Sequence, residues 1–364
     1  MSELLRSLFT SHGQSPWLDN IQRSHLTTGH LANMRDRGVR GLTSNPSIFQ
    51  KAIQGSADYD DQFKSLITSG KSIEDSYWEM VLTDISDALD VFLPLFNSSG
   101  GTDGFVSVEV DPRLAHDTTG TLSAARWLRS RINQPNVMIK IPATLAGLPV
   151  IRKMIAEGCN VNVTLIFSIP RYEEVMEAFI SGLEDAVASG STDLSGVSSV
   201  ASFFISRVDS EIDKQLGTNS HLAGTAAVNQ GALAYQAYKR VFSGPRWERL
   251  LALGAKTQRP LWASTSTKNP SYPDTLYVDS LIGPDTVNTL PENTLEAFAD
   301  HGKLARTIDA DPDLATRQWN ELANHGIDVD AVAAKLEDEG VAAFINSFDD
   351  LLKTLEDKAV TFSS

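Results

Sequence analysis

One lysine stands in an apolar run. Lys140 lies in "NVMIKIPAT" (Asn136 to Thr144), where Val137, Met138, Ile139 and Ile141 read as a buried strand. Lysine is among the residues least often fully buried, so the plainer account is an ion pair. The chemical account is a nucleophile. A free amine attacks a carbonyl carbon to form a Schiff base, and apolar walls disfavour the competing ammonium form. The iminium then draws electrons, so a neighbouring C–C bond can break or form. Such steps need proton carriers, and Asp19, Glu109 and a water held by Thr164 have suitable chemistry. An anionic substrate would also need local cations. Arg207 in "FFISRVD" and Lys268 in "WASTSTKNP" are the cationic candidates, with Ser264 in the second run as a neutral donor.

These residues are spread over the chain, so a fold must gather them. Short apolar runs recur with helical stretches between. The runs are Pro16 to Asn20, Gly38 to Pro46, Gly104 to Pro112, Asn136 to Thr144, Asn160 to Ser168, Ser199 to Asp209, Arg259 to Ser266 and Thr275 to Gly283. "TLSAARWLRSRI" is expected to open a helix after Gly120, with a threonine cap. "GLPVIRKMIAEG" and "PRYEEVMEAFISGLEDAVASG" carry apolar residues at helical spacing. Eight strands alternating with helices predict an α/β fold, a parallel (β/α)8 TIM barrel. An open doubly wound sheet usually places glycines after its first strand, and "WLDNIQR" has none. Beyond Gly283 the sequence reads as helical throughout. Residues 1–364 are therefore expected to form one barrel domain, with about 290–364 a helical extension packed on it. "NSSGGTDG" (Asn97 to Gly104) precedes a strand and reads as a loop.

In such a barrel the chemistry collects at the C-terminal ends of the strands. Asp19, Asn45, Glu109, Lys140, Asn162, Thr164 and Ser202 all fall there. Alternation places Ser107 with Glu109, Met138 with Lys140 and Asn162 with Thr164 on the inner face. It turns Val108, Ile139, Val163 and Leu165 toward the helices. Each has a plainer account. Asp19 and Asn45 could cap helices, Thr164 suits any strand, and Glu109 could pair with Arg113. Their convergence on one mouth favours use.

The same segments resemble the transaldolase family, closest to the longer bacterial type. "GLTSNPSIF" resembles one signature of that family. "VMIKIPAT" followed by "GCNVNVTLIFS" resembles the second, which holds the Schiff-base lysine. "SVEVDPR", "SVASFFISRVD" and "LWASTSTKNPSYPDTLYVDSLIG" fit in order, and the likeness runs from about Trp17 to Gly302. It implies transfer of a dihydroxyacetone unit from sedoheptulose 7-phosphate to glyceraldehyde 3-phosphate, in the non-oxidative pentose phosphate pathway. It implies Lys140 as the Schiff-base residue, Asp19 as the proton carrier at the cleaved bond, and Glu109 and Thr164 as holders of water. Asn45, Asn162 and Ser202 would bind the dihydroxyacetone hydroxyls, and Arg207, Ser264 and Lys268 the phosphate. No metal or organic cofactor is implied, and homodimers are frequent in the family.

The chain departs from the family pattern in two places. Many members have Ser-Pro-Phe and then Gly-Arg where this chain has Ser202-Phe203-Phe204 and Ser206-Arg207. Shorter relatives carry arginine two residues after the serine, whereas Lys268 comes four after Ser264. The nearest rival activity is a fructose 6-phosphate aldolase, which releases free dihydroxyacetone. Relatives of that kind are much shorter and carry tyrosine where this chain has Phe204. A phenyl ring cannot hold a water by a hydroxyl, which favours transfer over hydrolysis.

The bulk properties exclude other classes. A net charge of −15 argues against a nucleic-acid partner. No run approaches the ~20 apolar residues of a membrane span. One cysteine cannot form an internal disulfide, and the N-terminal "MSELLRSLFTSHGQ" is not a secretory signal, so a cytoplasmic protein is expected. Cys159 reads as a buried structural thiol. The seven histidines show no paired ligand spacing. "DADPD" (Asp309 to Asp313) begins like a calcium loop but has Leu314 where glycine is needed, so helix capping accounts for it better.

Overall fold

The computed structural model describes residues 3–217 and 220–362. Eight parallel strands close into a barrel in sequence order: β1 Gln14–Leu18, β2 Gly41–Thr43, β3 Phe105–Glu109, β4 Val137–Pro142, β5 Val161–Ile166, β6 Ser199–Phe204, β7 Arg259–Ala263 and β8 Thr286–Leu290. Helices follow the strands and cover the outer face, as parallel pairing requires. Apolar residues therefore fill both faces of a strand such as β4, where every residue is buried. β1 and β2 approach closely. A Cβ on Gly41 would lie 2.6 Å from the Trp17 indole, so only glycine fits there.

The eighth strand is not where the sequence suggests. Thr275 to Gly283 contains a helix, Leu276–Ser280, and β8 follows it. Tyr277, Val278, Leu281 and Ile282 are all buried, a spacing that fits one side of a helical turn and not the alternation of a strand. β8 is inconspicuous because "TVNTL" is mostly polar. Neighbours take up most of its polar groups: Gln14 Nε2 donates to Thr286 Oγ1 at 2.9 Å, and Thr265 Oγ1 donates to Asn288 Oδ1 at 2.8 Å, while Asn288 Nδ2 has no hydrogen-bond partner among the described residues. The α-helix after β3 is Thr118–Ile132 and begins before Gly120, because Asp117 caps it by accepting from the Gly120 amide at 3.0 Å. Asp311 caps the helix Pro312–Asn324.

The two barrel ends differ in chemistry. At the N-terminal end, buried Asp103 accepts from Ser15 Oγ, Trp17 Nε1, Arg40 Nε and Arg259 Nη2 at 2.6–3.2 Å. That network is structural, as polar groups at this end of a barrel usually are. At the other end runs the C-terminal helix Val329–Phe362. It packs on the helix Pro46–Gln54, on the helix Ser206–Leu216 and on β5. Gly340 lets it pass close, since a Cβ there would sit 3.0 Å from Leu165 Cδ2 and 3.6 Å from Arg207 Nη1. Leu165 adopts φ +61° within a register break between Val163 and Ile166. The bulge carries its side chain to the C-terminal helix, and not to the outer helices that strict alternation predicts. No helix among the described residues is long and apolar enough to cross a membrane.

One buried carboxyl couples this fold to pH. Asp209 accepts from the Ala227 amide at 2.7 Å and Tyr277 Oη at 2.8 Å, and burial pushes its carboxyl up to about 6. A raised folded value means the protonated form is favoured in the fold. Its contribution is full below about 4, the unfolded value, and is lost as pH rises to about 6. Asp209→Asn keeps an acceptor for Ala227 and offers an amide hydrogen to Tyr277. It is expected to stabilise the protein by about 2 kcal/mol at pH 8 and by little at pH 4. Urea unfolding at the two pH values measures the difference, and equal changes at both would refute it.

Candidate active site

Lys140 rises from the end of β4 into a cavity of about 150 Å³, an order of magnitude more than one water needs. The walls bring together Asp19, Asn45, Thr164, Ser202, Phe204, Arg207, Ser264 and Lys268 from the ends of other strands. Lys140 itself is buried. Its Nζ lies 3.0 Å from Glu109 Oε2 and donates to the Ser44 carbonyl at 3.1 Å. The register pairs Glu109 with Lys140 and Lys140 with Asn162, which sets all three at one height.

The two carboxyls differ in exposure: Glu109 is buried, and Asp19 is partly buried at the cavity wall. Thr43 Oγ1 donates to Asp19 Oδ1 at 2.7 Å, one residue beyond β1. Burial raises the Asp19 carboxyl above its ordinary range, against the pull of Lys140 and the Thr43 hydrogen bond. Burial likewise raises Glu109, opposed mainly by Lys140. Glu109 ignores Arg113, whose guanidinium pairs with Asp111 and Glu74 at 2.6 Å. Among the described residues, Thr164 Oγ1 is buried without a hydrogen-bond partner, and Glu109 Oε2 has only its ion pair with Lys140. A buried hydroxyl left unpaired beside an amine is costly unless another molecule uses it.

Two of the residues singled out in the sequence do not reach the cavity wall. Glu109 meets it only through Lys140. Asn162 sits beneath the floor with both ends of its amide engaged: Nδ2 donates to Ser107 Oγ at 3.0 Å, and Oδ1 accepts from Ser202 Oγ at 2.7 Å. Asn162 thus aims Ser202. Asn45 both caps and faces the cavity, since its Oδ1 accepts from the Ile48 amide at 3.0 Å and leaves Nδ2 available.

A cationic rim lies across from Lys140. Arg207 is the second residue of the helix Ser206–Leu216. Among the described residues its guanidinium has no carboxylate within 4.0 Å and no hydrogen bond, and it lies 5.2 Å from the centre of the Phe204 ring. Desolvation depresses its proton affinity. Lys268 also reaches the cavity and donates to Ser266 Oγ at 2.6 Å. Desolvation lowers it, and Arg207 and Lys51 lower it further by repulsion. Serine at position 206 ties the segments after β6 and β7 that carry this rim: Ser206 Oγ is 3.0 Å from Ser264 Oγ, and the Ser206 amide donates to the Ser264 carbonyl. Ser264 takes φ +56°, a strained region for a residue with a Cβ.

The sequence gives no sign of Phe344. This residue of the C-terminal helix lines the cavity, and Lys140 Nζ lies 5.8 Å from its ring centre. Ser347, one turn on, bonds Ser47 at 2.6 Å and ties the helix to the mouth. Ser47, Ser266 and Lys51 are also missed, though Ser266 stands inside the quoted run. Cys159 is buried outside the cavity, and burial pushes its thiol up to about 12, which keeps it inert.

The arrangement suits imine chemistry on a small anionic carbonyl compound. A family model described as transaldolase/fructose-6-phosphate aldolase matches residues 16–355. The chain is similar to a transaldolase of Parafrankia sp. (strain EAN1pec), 50% identical over 365 residues and covering 98% of both chains. It is 49% identical over 353 residues to transaldolase 1 of Streptomyces avermitilis, covering 95% of this chain and 93% of that one. A transaldolase of Acidothermus cellulolyticus is 50% identical over 345 residues, with 93% and 92% covered.

Proposed function

We propose that this chain, which belongs to the transaldolase/fructose-6-phosphate aldolase family, acts as a transaldolase through an imine on Lys140. The observation that carries the reading is the buried Lys140 amine paired with Glu109, in one cavity with Asp19, Arg207, Lys268 and a Thr164 hydroxyl that has no hydrogen-bond partner among the described residues. Lys140 Nζ attacks C2 of sedoheptulose 7-phosphate. The carbonyl oxygen leaves as water, with Glu109 and Thr164 as its hydrogen-bonding partners. The C3–C4 bond then breaks, and its electron pair moves into the iminium to give an enamine. The C4 hydroxyl proton passes to Asp19, and erythrose 4-phosphate departs. Glyceraldehyde 3-phosphate enters, the enamine carbon attacks its aldehyde, and Asp19 returns the proton. Hydrolysis of the new imine frees fructose 6-phosphate. Ser202, aimed by Asn162, and Asn45 hold the dihydroxyacetone hydroxyls, while Arg207, Lys268 and Ser264 hold the phosphate.

The family name covers a second activity, release of free dihydroxyacetone. Phe204 and Phe344 oppose it, because both put rings at the cavity and neither offers a hydroxyl to a hydrolytic water. The test is product analysis with fructose 6-phosphate, with and without erythrose 4-phosphate. Sedoheptulose 7-phosphate should form only with both substrates. Rapid free dihydroxyacetone from fructose 6-phosphate alone would reverse the assignment. Phe344→Ala opens the roof over the retained enamine and is expected to raise that leak about tenfold, a barrier change of about 1.4 kcal/mol. Phe344→Leu, which keeps an apolar cover, should raise it much less. Equal leaks from the two variants would count against the roof.

A further inference from the structure

Outside the lysine chemistry and among the described residues, one cluster brings three metal-ligating side chains within 4.8 Å of one another. His25 lies in the helix Arg23–Thr27, His30 opens the helix His30–Arg37, and Glu292 opens the helix Glu292–His301 after β8. Spacing alone hides the pair, because five residues is no helical repeat. Gly29 takes φ +77° between the helices and folds His30 back, leaving the imidazole centres 4.6 Å apart. Glu292 faces both rings: Oε1 is 2.9 Å from His30 Nε2, and Oε2 is 3.8 Å from His25 Nε2. One ligand atom from each residue lies within 4.8 Å of the others. Arginine does not consume this carboxylate; the nearby Arg37 pairs with Glu296 at 2.6 Å.

We propose that His25, His30 and Glu292 bind a divalent cation of the zinc class. Two imidazoles and one carboxylate form a donor set that zinc takes with a fourth position open. Bonds of about 2.0–2.1 Å place tetrahedral ligand atoms about 3.3 Å apart, so side-chain rotations of about 1.5 Å close the site. His25 is buried, and its Nδ1 has no hydrogen-bond partner among the described residues. Gln22 Nε2 stands 2.6 Å from His25 Nε2, so a metal on that nitrogen displaces the Gln22 amide, which then holds a water at the open fourth position. The site bridges the loops after β1 and β8, where the barrel closes. Pro291, beside Glu292, lines the Lys140 cavity, and Glu292 shares a groove with Asp19. The metal thus clamps the mouth on the Asp19 side and takes no part in the imine steps.

Calorimetric titration of the full chain with zinc chloride, after chelator treatment, tests this. One zinc per chain should bind with micromolar affinity, and saturation should raise the melting temperature by about 3 °C. His25→Gln and His30→Gln should each weaken binding at least tenfold. His221→Gln is the control, because His221 pairs with Glu321 at 3.1 Å on another face; it should leave binding unchanged. Cobalt(II) on the unsubstituted protein should give the visible bands of a four- or five-coordinate nitrogen and oxygen site, which requires no variant to fold. Absent bands, no saturable zinc uptake, or uptake indifferent to His25→Gln and His30→Gln would overturn the site.

Discussion

Lys140→Ala is expected to lower kcat for transfer by at least about 10⁴-fold and to abolish covalent trapping of the substrate. In the wild type, borohydride with fructose 6-phosphate should add a reduced three-carbon or six-carbon unit to the peptide holding Lys140. No other lysine replaces it. Lys268 faces the same cavity, but its Nζ is bound to Ser266 on the opposite rim. Lys140→Arg should be as inactive as alanine, since a guanidinium keeps the charge and loses the nucleophile. The alanine substitution also perturbs Glu109, because Lys140 is the main group holding that buried carboxyl down. Without it, burial and the Asp19 charge act unopposed and raise Glu109 further, so the variant protonates at Glu109 at higher pH than the wild type. A variant that folds by circular dichroism and keeps its activity, or trapping at a different lysine, would sink the mechanism.

Much of this site was legible because a parallel strand converts sequence position into direction. The period of two puts Lys140 on the inner face with Met138, and the register sets Glu109 and Asn162 level with it. What alternation cannot give is occupancy of hydrogen bonds. Asn162 faces inward as expected, yet Ser107 and Ser202 take both ends of its amide. Other residues were hidden by distance along the chain. Phe344 belongs to a helix with the ordinary pattern of a packed surface, and only its path across the mouth brings it to Lys140. β8 was hidden because a strand rich in polar residues, most of them taken up by neighbouring side chains, looks like a loop in sequence. Thr275 to Gly283 misleads in the opposite direction. Its apolar residues suit a strand in composition, and only their burial along one helical side separates the two. His25 and His30 escaped for a related reason, since the glycine turn between them sets their contact.

Arg207→Ala is expected to raise KM for fructose 6-phosphate by about 10²–10³-fold, with a smaller effect on kcat. Two charge-assisted hydrogen bonds to a phosphate, at about 1.5–3 kcal/mol each, bound the loss at about 3–6 kcal/mol. The lower part of that range applies because Lys268 and Ser264 remain. The guanidinium is available for this use, having no carboxylate within 4.0 Å among the described residues while lying half-buried beside Phe204. The same variant should change the pH dependence. Desolvation, then Arg207 and Lys51, hold Lys268 below the ordinary lysine range, so KM should climb with rising pH earlier than a normal lysine would allow. Removing Arg207 removes one repulsion, so Lys268 keeps its proton to higher pH and the alkaline rise in KM moves upward. Lys268→Met should erase that rise and leave Arg207 to hold the phosphate. KM measured from pH 7 to 10 for the three proteins decides the point. An unchanged KM in Arg207→Ala, or an equal loss with unphosphorylated fructose, would show that the rim does not bind phosphate. A rise that stays at the wild-type pH would show that the two cations do not share one anion.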